Sequence, residues 1–251
     1  MRTLDGRPAI VTGAGQGVGR GIALALANAG APVAVLGRTE TTLEDTCSEI
    51  NRRGGHAIAV KCDVRERDEI DRAVQTVADE LGGIKILVNN AQIFPYGTIR
   101  ELEDTVIDDG WRSGPLAALR LMQACYAYLE GGGAVINVSS GAPALAGPPG
   151  LAGYAAVKAA LQTFSRAAAV EWGTAGVRVN TIMPMASSPA FDEWEKNDPE
   201  TFSTVLDQIP MRKLCDPVDD IGRAVVFLVS EDAKMITGVS LPIDGGGLYL
   251  R

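Results

Sequence analysis

Short apolar segments alternate with segments of helical periodicity along the whole chain, and this alternation constrains the fold more than any other feature. Strand-like apolar segments occupy seven places, at 8–12, 32–37, 57–64, 85–90, 133–140, 177–184 and 238–246. Helix-like segments follow them at 17–29, 41–53, 67–81, a long region ending near 129, 153–172 and 217–229. Strands that alternate with helices predict a parallel sheet with both faces covered. No linker or repeat divides the chain, so we predict one α/β domain over residues 1–251.

The overall composition narrows the kind of partner. Hydrophobic residues make up 46% of the chain and charged residues 22%, which supports a sizeable core and argues against disorder. The net charge of −8 argues against nucleic acid or an anionic membrane surface as a partner. No run of 18 apolar residues is present, and the first residues contain no signal-peptide core. We therefore expect a cytoplasmic protein that acts on a small molecule.

The cysteines and the single histidine argue against several kinds of site. Cys47, Cys62, Cys125 and Cys215 are scattered, with no C-x-x-C pair, which does not favour zinc or a disulfide framework. His56 lies in a glycine-rich turn. With one histidine so placed, a Ser-His-Asp hydrolase or a histidine-rich metal site is not expected. We predict no metal.

A glycine-rich turn separates the first predicted strand from the first predicted helix. Its glycines Gly13, Gly17 and Gly19 fit the spacing G-x-x-x-G-x-G, with Val18 between the last two. Glycines allow a tight turn and close backbone approach to a pyrophosphate, which then faces the partial positive charge of the helix N-terminus. Its place after the first strand favours a dinucleotide site over an ordinary turn between a strand and a helix.

Two further positions carry polar groups that can be catalytic. Tyr154 and Lys158 are four residues apart at the start of a predicted helix, on one face. A nearby ammonium favours the phenolate, and so can lower a tyrosine pKa toward working pH. Ser140 ends the preceding strand and can hold a substrate oxygen against the tyrosine. Alone, Y-x-x-x-K is most often ordinary helix surface.

These motifs together resemble the short-chain dehydrogenase/reductase family over the whole chain. "TGAGQGVG", "NNA", a serine-ended fifth strand, "YAAVK" and the closing "DGG" follow one another in a single order. The resemblance implies a single-domain, doubly wound Rossmann-type parallel sheet that binds NAD or NADP. It implies that Tyr154 is the general acid/base, that Lys158 lowers its pKa and binds the ribose, and that Ser140 orients the substrate carbonyl or hydroxyl.

The same resemblance implies the cofactor-binding residues. Gly13, Gly17 and Gly19 would hold the pyrophosphate, Asp63 and the following Val64 the adenine, and Asn89 the floor of the site. Spacing alone leaves a second role open for Asp63, because it can cap the helix that begins near residue 65.

Three positions depart from the family pattern, and all map to the nicotinamide end of the site. The family usually has N-N-A-G, whereas Gln92 stands in the fourth place here. The family places an asparagine in the fourth helix, and here that slot holds Trp111 or Gly114. Pro184-Met185 replaces the usual Pro-Gly. These are either drift or a reshaped pocket in which Ser113 or water replaces the missing amide.

The choice of nucleotide and of substrate depends on two segments. The second strand ends in Gly37-Arg38, which offers no carboxylate for a ribose 2′-hydroxyl, whereas Arg38 can pair with a 2′-phosphate. NADP is therefore favoured over NAD, unless Arg38 is a solvated surface charge. Residues 186–213 correspond to the family's substrate lid. Their apolar side chains either cover a substrate or pack the lid helices together: Phe191, Trp194, Phe202, Val205 and Leu206.

Two functions follow from these observations. The first is an oxidoreductase that transfers a hydride between NADP(H) or NAD(H) and a secondary alcohol or ketone. The second is a catalytically silent nucleotide-binding sensor or assembly subunit, which the missing asparagine suggests and the intact Ser140, Tyr154 and Lys158 oppose. The resemblance also implies a homotetramer, with the fourth and fifth helices in one interface and the C-terminal strand region in another.

Overall fold

Seven strands and nine α-helices alternate along the residues that the computed structural model describes, which are 3–144 and 149–248, apart from the side chain of Ala190. The strands are β1 Ala9–Thr12, β2 Val33–Gly37, β3 Ala57–Lys61, β4 Ile86–Asn89, β5 Ala134–Val138, β6 Arg178–Pro184 and β7 Ser240–Ile243. The helices are α1 Gly17–Asn28, α2 Glu40–Arg52, α3 Arg67–Leu81, α4 Asp104–Ser113, α5 Pro115–Leu129, α6 Ala152–Trp172, α7 Pro189–Asn197, α8 Pro199–Asp207 and α9 Arg223–Val229.

The strands form one parallel sheet in the order β3-β2-β1-β4-β5-β6-β7. The chain runs outward from β1 to β3, then crosses to β4 and continues outward to β7. The order therefore reverses between β1 and β4, and such a reversal opens a crevice at the carboxyl ends of the strands. The predicted doubly wound parallel sheet is confirmed. Residues 1–2, 145–148 and 249–251 of the predicted domain lie outside the described residues.

Apolar residues of the strands supply two cores, one on each face of the sheet. In β2, Val33 and Val35 belong to one core and Ala34 and Leu36 to the other. Successive side chains of a strand point to opposite faces, so a strand covered on both sides is apolar at every position. This is why a strand such as β2 could be recognised as an unbroken apolar segment.

The structure differs from the prediction in the fourth helical region, which is two helices and not one. The helix is interrupted at Gly114, whose φ of −102° and ψ of −101° are not helical. Pro115 follows, and proline has no N–H to continue the hydrogen bonds of a helix. The segment Pro217–Gly222, predicted as the start of an α-helix, is a π-helical turn that leads into α9.

Within the described ranges, no helix combines the length and the apolar composition that crossing a membrane requires.

Candidate active site

A cleft opens at the reversal point of the sheet, along the carboxyl ends of β1, β2, β3 and β4. The cleft has a volume of ≈ 410 Å³ that water can enter. Its lining includes most of the cofactor-binding residues expected from the sequence, namely Gly13, Gly17, Val18, Gly19, Arg38, Asp63 and Val64. The fold therefore brings together residues from the three segments that follow β1, β2 and β3.

The glycine-rich turn between β1 and α1 has the backbone that a phosphate site needs. Gly13 and Gly17 have φ values of 63° and 54°, a region that residues with a side chain rarely adopt. Gln16 precedes α1 and makes no side-chain hydrogen bond to the first turn. The N–H groups of that turn have no helical partner, so they can bind an anion. The turn fits a pyrophosphate.

Asn90, which follows β4, ties this turn to the neighbouring strand. Its Nδ2 donates to the carbonyl oxygens of Thr12 and Gly13, at 2.9 and 3.2 Å. Its backbone N–H donates to Oγ1 of Thr12 at 2.9 Å. Asn90 lines the cleft and was missing from the predicted site, although the pair Asn89-Asn90 at a strand end is a visible signal.

Asn89 lies behind the cleft and not in its lining. It is the last residue of β4, it is buried, and its Nδ2 donates to Oδ1 of Asn137 in β5 at 2.8 Å. Asn137 in turn donates to Oγ of Ser165 in α6 at 2.7 Å. Its predicted place as the floor of the cofactor site stays a prediction. Asn89 supports the sheet edge from within.

Asp63 and Arg38 lie at the opposite end of the cleft from the tyrosine-bearing helix. Asp63 accepts hydrogen bonds from the backbone and guanidinium of Arg65, at 3.0 and 2.7 Å, and the bond from this side chain lowers the pKa of Asp63. Helix α3 begins at Arg67 and its cap is Glu66, so Asp63 is not the helix cap. Arg38 is exposed and forms no ion pair among the described residues.

Ser140, Tyr154 and Lys158 come together at the carboxyl end of β5. Ser140 follows β5 and is hydrogen-bonded to Tyr154 in the first turn of α6. Nζ of Lys158 donates to the carbonyl oxygen of Val138 at 2.7 Å and lies 5.6 Å from the centre of the Tyr154 ring. Nε2 of Gln162, which sequence analysis missed, fixes this loop by donating to the carbonyl oxygen of Ser140 at 3.1 Å.

Burial shifts the pKa values of both Tyr154 and Lys158. Burial raises the pKa of Tyr154, and the hydrogen bond with Ser140 opposes that rise. Burial also lowers the pKa of Lys158 to about 7, because a low-dielectric surrounding disfavours the ammonium. The hydrogen bond with Ser140 thus favours the phenolate. The expected lowering of the tyrosine pKa by Lys158 stays a prediction.

Gln92 and the end of α4 meet beside these residues. Nε2 of Gln92 donates to the carbonyl oxygens of Ile93 and Gly110, at 2.7 and 2.9 Å. Ser113 Oγ accepts from the N–H of Ile93 at 2.9 Å. Of the two candidates for the asparagine slot, Gly114 faces the Lys158 side, whereas Trp111 is 39% exposed and contacts Phe164.

Aromatic side chains border the site on two sides. The ring of Phe94 lies 4.5 Å from that of Tyr154 and stacks with Tyr96 at 6.2 Å. Phe94 and Tyr96 are 50% and 63% exposed, so they form an open apolar wall. In the predicted lid, Phe191 and Trp194 of α7 contact each other and Phe202 of α8. These three rings pack the lid helices together.

The cysteines supply no reactive site. All four are free and buried. Burial raises the pKa of Cys47 to about 11 and those of Cys62 and Cys125 to about 12, which keeps the thiols protonated and unreactive. Residues 3–144 and 149–248 contain no cluster of three or more His, Cys, Asp or Glu side chains that could hold a metal ion.

Comparison with known proteins gives extensive matches. A family model described as enoyl-(acyl carrier protein) reductase matches residues 13–247. A 12α-hydroxysteroid dehydrogenase of a Clostridium species is 38% identical over 255 residues, which covers 98% of each chain. A 2-(R)-hydroxypropyl-CoM dehydrogenase of Xanthobacter autotrophicus is 30% identical and covers 95% of this chain and 97% of its own.

Solved structures agree with these relatives. A short-chain dehydrogenase of Burkholderia cenocepacia in complex with NADP is 30% identical, with a TM-score of 0.90 over 98% of this chain and 99% of its own. A 7α-hydroxysteroid dehydrogenase complexed with NADH and 7-oxo glycochenodeoxycholic acid is 31% identical, with a TM-score of 0.92 over 98% and 95%. The predictions of enzyme class and of a nicotinamide cofactor are confirmed, and a silent nucleotide-binding subunit receives no support. The chain belongs to the short-chain dehydrogenase/reductase family and is an NAD(P)-dependent oxidoreductase.

Proposed function

We propose that this enzyme interconverts a secondary alcohol and its ketone on an apolar ring compound of the hydroxysteroid type, with NADP(H) preferred to NAD(H). The observation that carries the proposal is the meeting of Ser140, Tyr154 and Lys158 beside an open aromatic wall. Relatives that act on hydroxysteroids support the substrate class.

Each of the three residues has a separate task in this proposal. When bound, the nicotinamide accepts or donates the hydride, and the residues of the chain handle the proton. Ser140 holds the substrate oxygen by a hydrogen bond. Tyr154 donates its hydroxyl proton to that oxygen during reduction and takes a proton from it during oxidation. The Lys158 ammonium stabilises the phenolate and binds the nicotinamide ribose.

Other residues would hold the cofactor along the cleft. The turn containing Gly13, Gly17, Val18 and Gly19 receives the pyrophosphate, and Asp63 and Val64 border the adenine. Residues 186–213 act as a substrate lid, because Ser188 and Pro189 at the start of α7 line the cleft. Gln92, Gly114 and Met185 give the nicotinamide end its unusual composition.

The substrate class is tested by a screen. Hydroxysteroids, their ketones and smaller secondary alcohols are offered with each cofactor, and turnover is followed by the absorbance of the reduced nicotinamide. We expect the highest kcat/KM with a ring compound, since a wall of two exposed aromatic rings favours a flat apolar partner. Turnover of small alcohols alone would contradict the substrate class and leave the enzyme class intact.

Arg38→Ala is expected to weaken NADPH binding by about 1–3 kcal/mol, the scale of one charge-assisted hydrogen bond. NADH binding should barely change, because NADH has no 2′-phosphate. Both dissociation constants are measured by fluorescence titration. Arg52→Ala, at the exposed end of α2, removes the same charge away from the cleft and should leave both constants unchanged. Equal losses for the two cofactors would remove the argument for NADP.

A homotetramer is also part of the proposal. Exposed apolar side chains on α6 and near β7 support it: Val170 is 83% exposed and Met235 88%. Apolar surface of this kind often marks an interface between subunits. A monomer mass by light scattering at micromolar concentration would contradict the assembly. The cytoplasmic location stays a prediction.

A further inference from the structure

The carboxamide of Gln92 lies between two segments that the fold must hold together. Its Nε2 donates to Ile93 in the loop after β4 and to Gly110 in the last turn of α4. Ser113 reinforces the same contact, because its Oγ accepts from the N–H of Ile93 and donates to the carbonyl oxygen of Asp109 at 2.6 Å. Gln92 therefore ties the end of α4 to the end of β4.

Gly114 is the residue against which this carboxamide packs. A β-carbon built on Gly114 would lie 2.2 Å from Oε1 and 2.9 Å from Nε2 of Gln92. Atoms cannot approach so closely, so no side chain fits at position 114 while the carboxamide of Gln92 is in place. One carboxamide can occupy this space, and it can come from position 92 or from position 114, but not from both.

Gly114 and Lys158 both line one small cavity. The cavity leaves ≈ 10 Å³ for the centre of a water molecule, and its lining includes Asn89, Ser113, Gly114 and Lys158. A space of this size is that of a single-water site. Nζ of Lys158 donates to the carbonyl oxygen of Val138, and an ammonium has two donors besides that one. The position of the Gly114 backbone therefore sets the size of the space beside Lys158.

We propose that Gln92 is a positioning residue for this cavity: its carboxamide replaces a side chain at position 114 and fixes the break between α4 and α5. The break forms one wall of the Lys158 cavity, so Gln92 acts on the catalytic pair through the backbone of Gly114. The inference rests on the proposed role of Lys158. It makes Gln92 and Gly114 a matched pair, whose substitutions are strongly coupled.

The test is a double-mutant cycle of wild type, Gln92→Gly, Gly114→Asn and the double variant. Gly114→Asn alone overpacks the site, and we expect its Tm to fall by about 2–8 °C. Each single variant should lose about tenfold or more in kcat, with a smaller change in KM, because small misplacements of catalytic groups reduce rate steeply. The double variant moves the carboxamide to position 114, and should recover both Tm and kcat.

Two controls separate this effect from general damage. Gly173→Asn changes a glycine whose added β-carbon would meet nothing within 4 Å, and should leave Tm and kcat unchanged. The affinity for 2′-phospho-ADP-ribose should be the same in all four proteins of the cycle, since that ligand binds only at the adenine end. If the losses in Tm and kcat of the two single variants simply add in the double variant, positions 92 and 114 are not a matched pair. If the Tm values are coupled but kcat is unchanged in every variant, Gln92 does not position the catalytic pair.

The inference about Gln92 and Gly114 can fail independently of the proposed function. Tm needs no substrate, so the coupling between positions 92 and 114 is measured even if the screen finds a different substrate class. A failure of Tyr154 or Lys158 to affect turnover contradicts the proposed function, whereas additivity in the cycle contradicts the inference alone.

Discussion

Tyr154→Phe is expected to reduce kcat by about 10²–10⁴-fold, the usual contribution of a general acid or base. Phenylalanine keeps the ring that packs against Phe94 and removes only the hydroxyl that Ser140 contacts. The loss should appear in the rate and not in the dissociation constant for NADPH, because the glycine-rich turn that would bind the pyrophosphate is untouched. Turnover and fluorescence titration with the same protein give both quantities.

A matched tyrosine shows that the effect belongs to the site. Tyr128→Phe removes the same hydroxyl from α5, and we expect kcat within about twofold of wild type, since phenylalanine keeps the ring that packs against the core and the residue lies away from the site. Retained activity in Tyr154→Phe would remove Tyr154 as the acid/base. A comparable loss in Tyr128→Phe would show that the assay reports folding.

The sheet could be predicted because the sequence pattern that indicates each strand is local. The strand β2 is covered on both faces, so Val33, Ala34, Val35 and Leu36 form one unbroken apolar segment, and no long-range contact is needed to recognise it. The break at Gly114 was missed although Pro115 follows it. Proline is also common in the first turn of a helix, so the residue by itself did not show that a helix ends just before it.

The sequence indicated residues that the fold brings together, but not the contacts between them. Ser140, Tyr154 and Lys158 lie where the sequence motifs indicated, but their pKa values depend on burial, which only the packed structure contains. Asn89 and Asn90 are adjacent in sequence and differ in their contacts because one ends a strand and the other begins a loop. The contact between Gln92 and Gly114 joins two distant segments, and no spacing rule predicts it.

Gly19 allows the closest backbone approach in the glycine-rich turn, and its replacement should have the largest effect on cofactor binding. A β-carbon on Gly19 would lie 2.4 Å from Nδ2 of Asn90 and 2.4 Å from the carbonyl oxygen of Gly13. Both atoms belong to the hydrogen bond that shapes the turn, at 3.2 Å. A methyl group must therefore push Asn90 and Gly13 apart, and the turn loses the shape that faces the pyrophosphate.

Gly19→Ala is accordingly expected to raise the dissociation constant for both NADPH and NADH by about 10- to 100-fold, the equivalent of about one hydrogen bond to a charged group. Gly21→Ala is the matched control. It lies in the same helix, and its β-carbon would meet Pro217 at 2.4 Å, so it should lower Tm comparably while leaving the cofactor constants near wild type. Fluorescence titration and thermal unfolding of the two variants separate the effects. If Gly21→Ala weakens cofactor binding as much as Gly19→Ala does, the loss comes from displacement of α1 as a whole, and the turn has no special part in holding the pyrophosphate.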